Sequence, residues 1–110
     1  MTIEVASIKP QALLFQALAN PVRIQILNLL NDNPKGLNVT EICDSLKVEQ
    51  THISHSLRCL TFCGLVDWVR DGKSKVYSIN QQTVRPLLSI VDRHLEKYGN
   101  NLFECDVLER

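Results

Sequence analysis

The 110 residues predict a mainly α domain carrying one β-hairpin, in the order α-α-α-α-β-β-α. Three observations predict it. Apolar residues recur at helical spacing over most of the chain. Two short helical patterns meet at a brief turn, "KVEQ". One alternating stretch, "LVDWVRDGKSKVYSI", is interrupted by Asp71-Gly72, a strong hairpin signal.

The elements follow in order. Residues 11–18, "QALLFQAL", place Leu13, Leu14, Ala17 and Leu18 at helical spacing. "ANPVRIQILNLLND" starts a second helix. Asn20 is a good N-cap there, and Pro21 takes the first helical position, where a missing N–H costs nothing. Val22, Ile26, Leu29 and Leu30 form its expected apolar stripe, and "DNPKG" ends it.

Residues 38–46 open with Asn38 and carry Glu41 three positions on, a capping-box spacing. Ile42 and Leu46 are expected to face inward. A fourth helix is expected from about Gln50 to Phe62, stopped by Gly64. Two short helices around a tight turn make a helix-turn-helix. Val66, Trp68 and Arg70 then alternate with Asp67 and Val69, and Val76, Tyr77 and Ile79 suit the return strand of a wing. A last helix is expected from about Gln81 to Tyr98, with Val84, Leu87, Leu88, Val91 and Leu95 on its apolar side. Pro86 fits its first turn. "GNN" at 99–101 is expected to break it. This divides the chain into a folded domain at 1–98 and a tail at 99–110.

Composition narrows the class. Hydrophobic residues are 45% of the chain and charged residues 22%, which suits a folded domain rather than a disordered one. Twelve basic and twelve acidic residues cancel, so any affinity for nucleic acid must come from a local patch. No long apolar run and no leader pattern is present, and a cytoplasmic location without membrane association is expected. Four cysteines in that compartment suit thiols, metal ligands or redox sensors better than structural disulfides. No nucleophile–base pair, phosphate-cradling glycine loop or paired carboxylate occurs, so the chain is read as no enzyme.

Helices, helix-turn-helix, hairpin and helix together form a winged helix-turn-helix. The runs "LANPVRIQILNLL", "VTEICDSLKVEQTHISHSLRCL", "GLV" and "RDGKSKVYSI" resemble the ArsR/SmtB family of dimeric transcriptional repressors over roughly residues 13–98. The resemblance implies a homodimer built by the first and last helices, bound to palindromic operator DNA and released by metal or redox signals.

Reading DNA needs donors for base edges and positive charge for phosphates. At ~100° per residue, Ile53, Leu57 and Leu60 share the core face of the fourth helix. Thr51, Ser54, His55 and Arg58 fall on the far side. These four and Gln50 match the family's DNA-contacting segment, and Lys73 and Lys75 on the wing would meet phosphate. A solvated polar face is the plain alternative. His52 and His55 are read as polar contacts rather than metal ligands.

Two metal sites usual in the family are missing. Where many members have a cysteine-rich motif, this chain has "GLNVTEI", with Asn38 and Thr40 at the cysteine positions. The residues aligned with the zinc site of the last helix are Gln81, Thr83, His94 and Lys97, of which only His94 survives.

The cysteines offer a different set. Cys59 and Cys63 are four apart on one helix, so both sulfurs can reach one ion, and they lie beside the core stripe rather than in it. His52 is ~10 Å and ~16 Å from them along the helix axis, too far to join both. Cys105 is the candidate third ligand. Three thiolates select soft, thiophilic ions. The run "CLTFCGLV" with Cys105 resembles the CmtR-type cadmium/lead sensors within the family, which implies Cys59, Cys63 and Cys105 as ligands of cadmium or lead. Arsenite and zinc rank below these, and no metal is needed for folding. The alternative is a thiol redox or persulfide switch at the same cysteines. Cys43 is expected to be a buried small apolar residue.

Overall fold

A computed structural model describes residues 5–108, with side-chain placement from residue 8. The leader expectation at residues 1–4 lies outside them. The elements are α1 (Val5–Leu18), α2 (Pro21–Asp32), α3 (Val39–Leu46), α4 (Gln50–Phe62), β1 (Val66–Asp71), β2 (Ser74–Ile79) and α5 (Val84–Glu104). This is the expected winged helix-turn-helix order. The chain divides into two compact units, residues 1–80 and 81–110.

In the first unit, α2 begins as its sequence dictates. The Asn20 side chain accepts from the N–H groups of Val22 and Arg23 at 3.0 and 3.1 Å, with Pro21 at the first position. Arg23 in turn donates to the carbonyls of Ala17 and Gln16, tying α2 to the end of α1. The buried stripe of α2 is Ile26, Leu27 and Leu30. Leu27 was missing from the expected set, while Val22 and Leu29 are only half-buried. The core sits between α2 and the helix-turn-helix, where Ile42, Ile53, Leu57 and Leu60 are fully buried.

α1 starts earlier than expected and contains Pro10. Proline at the sixth helical position removes one intrahelical donor, and the flanking turns hold the helix across the gap. Of its apolar positions Ala17 is buried, whereas Leu13, Leu14 and Phe15 are exposed.

α3 carries the full capping box. Asn38 accepts from the Glu41 N–H, and Glu41 accepts from the Asn38 N–H, both at 2.9 Å. Lys47 turns the chain towards α4 in a left-handed conformation, φ 57°. Leu46 and Cys43 are half-buried rather than interior. α4 buries Ile53, Ser56, Leu57 and Leu60, and Gly64 at φ 77° ends it beyond the Cys63 cap.

The wing pairs Val66 with Ile79, Trp68 with Tyr77 and Arg70 with Lys75. Its turn residues are Gly72 and Lys73, one position later than the Asp71-Gly72 pair expected. Only Gly72 of these two has positive φ (65°), the pattern of a type II′ turn with glycine first. Leu37 and Tyr77 exchange backbone hydrogen bonds of 2.9 and 2.8 Å, which lash the loop before α3 to β2. Gly36 makes this possible. A Cβ there would lie 2.6 Å from Val76 Cγ1 and 2.8 Å from the Tyr77 carbonyl oxygen.

The second unit is α5 and the residues after it. The break expected at 99–101 does not occur, because the helix runs through Gly99, Asn100 and Asn101 to Glu104. Gly99 has no positive φ, and a lone glycine costs a helix only about 1 kcal/mol. Tyr98 and Leu102 continue the apolar side of Val91 and Leu95 at helical spacing, so the amphipathic pattern favours continuation. Cys105 is therefore the helix cap, half-buried, rather than part of a loose tail.

Candidate nucleic-acid interface and thiol pair

The DNA-reading residues predicted on α4 are displayed together. Gln50, Thr51, Ser54, His55 and Arg58 are all exposed, on the side of the helix away from Ile53, Leu57 and Leu60. Each carries a donor or acceptor that can meet a base edge or a phosphate oxygen. α4 is held in place by its buried side, so these groups project from a rigid support.

Lys73 and Lys75 are exposed on the wing, as expected. The hairpin register adds Arg70, which sequence reasoning had treated only as part of the alternation. Trp68, Arg70, Lys75 and Tyr77 share one face of the ribbon, because paired residues and their i±2 neighbours point the same way. Lys75 Nζ lies 4.3 Å from the Trp68 ring centroid, a cation–π contact that steers its charge along this face. A cleft of about 390 Å³ runs between α4 and the wing, lined by Ser54, Arg58, Thr61, Phe62, Trp68 and Lys75 among others. A second, of about 340 Å³, lies between the start of α3 and the wing tip, with Arg70, Lys73 and Lys75 on one wall and Asn38 and Thr40 on the other. The register was the signal for Arg70: once the turn is centred on Gly72-Lys73, position 70 must face 75.

Arg70 and Lys75 directly opposite each other cost the hairpin stability, since like charges across a ribbon repel. A polyanion laid along this face would supply the counter-charge that relieves it.

The cysteine pair lies at the other edge of the same helix face. Cys59 is half-buried and Cys63 exposed, as the helical wheel indicates, and the two line one cleft. Local burial, then the charge and hydrogen bond of Cys59, push the Cys63 thiol above its ordinary pKa, while Arg23 pulls against them. A cleft of about 300 Å³ is lined by His55, Arg58, Cys59, Phe62 and Cys63. Two candidate sensor thiols and two candidate DNA-reading side chains thus share one surface.

Cys105 caps α5 in the other compact unit. Among the described residues no group of three or more His, Cys, Asp or Glu side chains is gathered to hold an ion. His94 stacks near Tyr98, with ring centroids 4.8 Å apart, and Lys97 lies over the same ring at 5.3 Å. Among the described residues, no single helix is long and apolar enough to cross a membrane.

A recognition helix with exposed donors, set beside a basic wing, defines a winged helix-turn-helix regulator. Residues 20–67 match the family described as "Bacterial regulatory protein, arsR family". The HTH-type transcriptional regulator NmtR of Mycobacterium tuberculosis is 42% identical over 81 residues, which are 74% of this chain and 66% of NmtR. A probable mercury resistance operon repressor of Streptomyces lividans is 32% identical over 91 residues, 81% of this chain and 71% of that protein. The homodimeric winged helix-turn-helix DNA-binding domain Mb0332 of Mycobacterium bovis superposes with a TM-score of 0.76 at 29% identity, covering 87% of each chain. This chain belongs to the arsR family of bacterial regulatory proteins.

Proposed function

We propose that the chain is a homodimeric repressor that leaves its operator when a soft ion of the cadmium or lead kind is held by Cys59, Cys63 and Cys105. The observation that carries this reading is the placement of two cysteines one turn apart on the edge of the recognition helix, lining one cleft with His55 and Arg58. The likeness to a protein named for mercury resistance agrees with a thiophilic effector. Gln50, Thr51, Ser54, His55 and Arg58 read the operator, and Lys73 and Lys75 hold its backbone. α1 and α5 form the dimer, each leaving apolar side chains exposed: Leu13, Leu14 and Phe15 on one, Val91, Leu95 and Leu102 on the other. Cys105 supplies the third thiolate, from its own or the partner protomer.

The test uses the reduced chain and an operator duplex selected from random sequence. Cadmium should release the wild type, and Cys105→Ser should need a much higher cadmium concentration. Release of Cys105→Ser at the wild-type concentration defeats the three-thiolate reading.

The same pair of cysteines on one cleft favours a second reading, a redox or persulfide switch. Peroxide would take two hydrogens from the pair, leaving a disulfide and water. A loss of two mass units at sub-stoichiometric peroxide, with loss of DNA binding, would support this over metal.

A further inference from the structure

We infer that the cleft between α4 and the wing is a binding site for a small planar aromatic anion, and that its occupant and operator DNA exclude one another. The exclusion rests on the proposed DNA-reading role of Arg58 and Lys75. The binding itself does not.

Three features of the cleft point to such a ligand. The first is a gathering of rings. The chain has one Trp, two Tyr and three Phe, and half of these six, Phe62, Trp68 and Tyr77, line this one cleft. Trp68 and Tyr77 are direct cross-strand partners. Phe62 closes the last turn of α4 and is 92% exposed, on a helix whose other large apolar residues are fully buried. Phosphates are met by charge and by hydrogen-bond donors, so the phenyl ring of Phe62 has no task in holding a DNA backbone. A flat ring can pack against it.

The second feature is charge. Arg58 and Lys75 line the cleft, and no acidic side chain lines it with them. The Arg58 guanidinium can take a carboxylate or a phosphate through two parallel hydrogen bonds. Lys75 Nζ stands 4.3 Å from the Trp68 ring centroid, which sets a cation beside a ring. The third is size. A volume of about 390 Å³ falls in the range of small-ligand sites and suits one or two fused rings bearing an acid group. Neither Cys59 nor Cys63 lines this cleft, so the site stands apart from the thiols. Ser54, Arg58 and Lys75 do line it, and an occupant therefore covers groups assigned to the operator. By linkage, the operator weakens the ligand by the same factor.

2-Naphthoate and 2-naphthyl phosphate are the probes, on the full reduced chain without metal. Cyclohexanecarboxylate supplies the charge without the ring, and 2-naphthylmethanol the ring without the charge. Trp68 is the chain's single tryptophan, so its indole N–H gives one resonance that reports on the cleft. Calorimetry reads affinity, and anisotropy of the operator duplex reads competition. At least one of the two ring anions should shift the Trp68 resonance and bind once per protomer, and the tighter of the two names the acid group. Both controls should bind at least about fivefold more weakly. Phe62→Ala, a change at an exposed position, should weaken the ring anion about three- to tenfold. No shift of the Trp68 resonance with either probe, equal binding of cyclohexanecarboxylate, or a Phe62→Ala chain that binds as tightly as the wild type overturns the inference. So does a chain that binds neither probe while Phe62→Ala weakens the operator, which would assign the rings to DNA. Probe and operator held at once overturn the exclusion. The cadmium response plays no part in any of these measurements.

Discussion

The backbone N–H of Cys63 donates to the carbonyl of Cys59, 3.0 Å away and one turn earlier on α4, and both residues border a cleft with His55 and Arg58. Under the proposed function, effector chemistry and DNA reading draw on a single helix surface. Burial and Cys59 raise the Cys63 pKa, so Cys63 holds its proton at neutral pH more firmly than an isolated thiol. A soft ion must displace it. Cadmium affinity should rise with pH and level off above the raised Cys63 pKa, each displaced proton contributing about tenfold per pH unit. Cys63→Ser should lower that slope by one proton. Affinity independent of pH between neutral and mildly alkaline solution would contradict it.

The DNA surface predicts two kinds of defect. Lys75→Ala removes the phosphate contact proposed for the wing, so it should weaken all sequences alike and flatten the salt dependence by about 0.9 in log–log slope. Arg58→Ala should instead relax the choice of base at one operator position, at about 1–3 kcal/mol of discrimination. Anisotropy against salt, with single-base operator variants, separates the two. If both variants change only the salt slope, α4 does not read bases through Arg58.

Gly36 predicts a stability defect remote from DNA. Gly36→Ala combines positive φ, 93°, with a Cβ 2.8 Å from the Tyr77 carbonyl oxygen, which cannot retreat without breaking the Leu37–Tyr77 bridge. The cost should be at least about 1–3 kcal/mol. Asn38→Ala, which removes the cap of α3, should cost about 1 kcal/mol. Urea denaturation checks both. A neutral Gly36→Ala would show that the bridge is dispensable.

Gly99 predicts the opposite sign. It sits within α5 with ordinary backbone, and an added Cβ would meet Leu95 Cβ at 3.8 Å, normal contact. Gly99→Ala should therefore stabilise by about 0.4–1 kcal/mol. Destabilisation would mean that the helix ends before residue 99 in solution.

Most of the fold was legible because its signals are local. Asn20-Pro21, Asn38 with Glu41, and Gly64 each fix an element end through a cap that depends on a few neighbouring residues. The misses came where local rules compete with pattern. "GNN" looks like a stop, yet Tyr98 and Leu102 keep the apolar stripe in phase through it. Pro10 looks like a beginning, yet α1 continues back to Val5. At the site, the wheel correctly set Cys59 and Cys63 beside the core. It could not show Phe62 turned out to solvent, which depends on how α4 meets the wing, or Lys75 laid over Trp68, which depends on the register of the hairpin.

The central claim is that an ion on these thiols releases the operator, and one titration tests it most directly. Cadmium is added to the reduced protein on operator duplex while thiolate charge-transfer absorption and anisotropy are read together. The account predicts that the absorption band saturates at one ion per protomer and that DNA leaves over the same range, with both signals moved together to a much higher cadmium concentration in Cys63→Ser. A band that saturates while the operator stays bound, or release with no band, would contradict it.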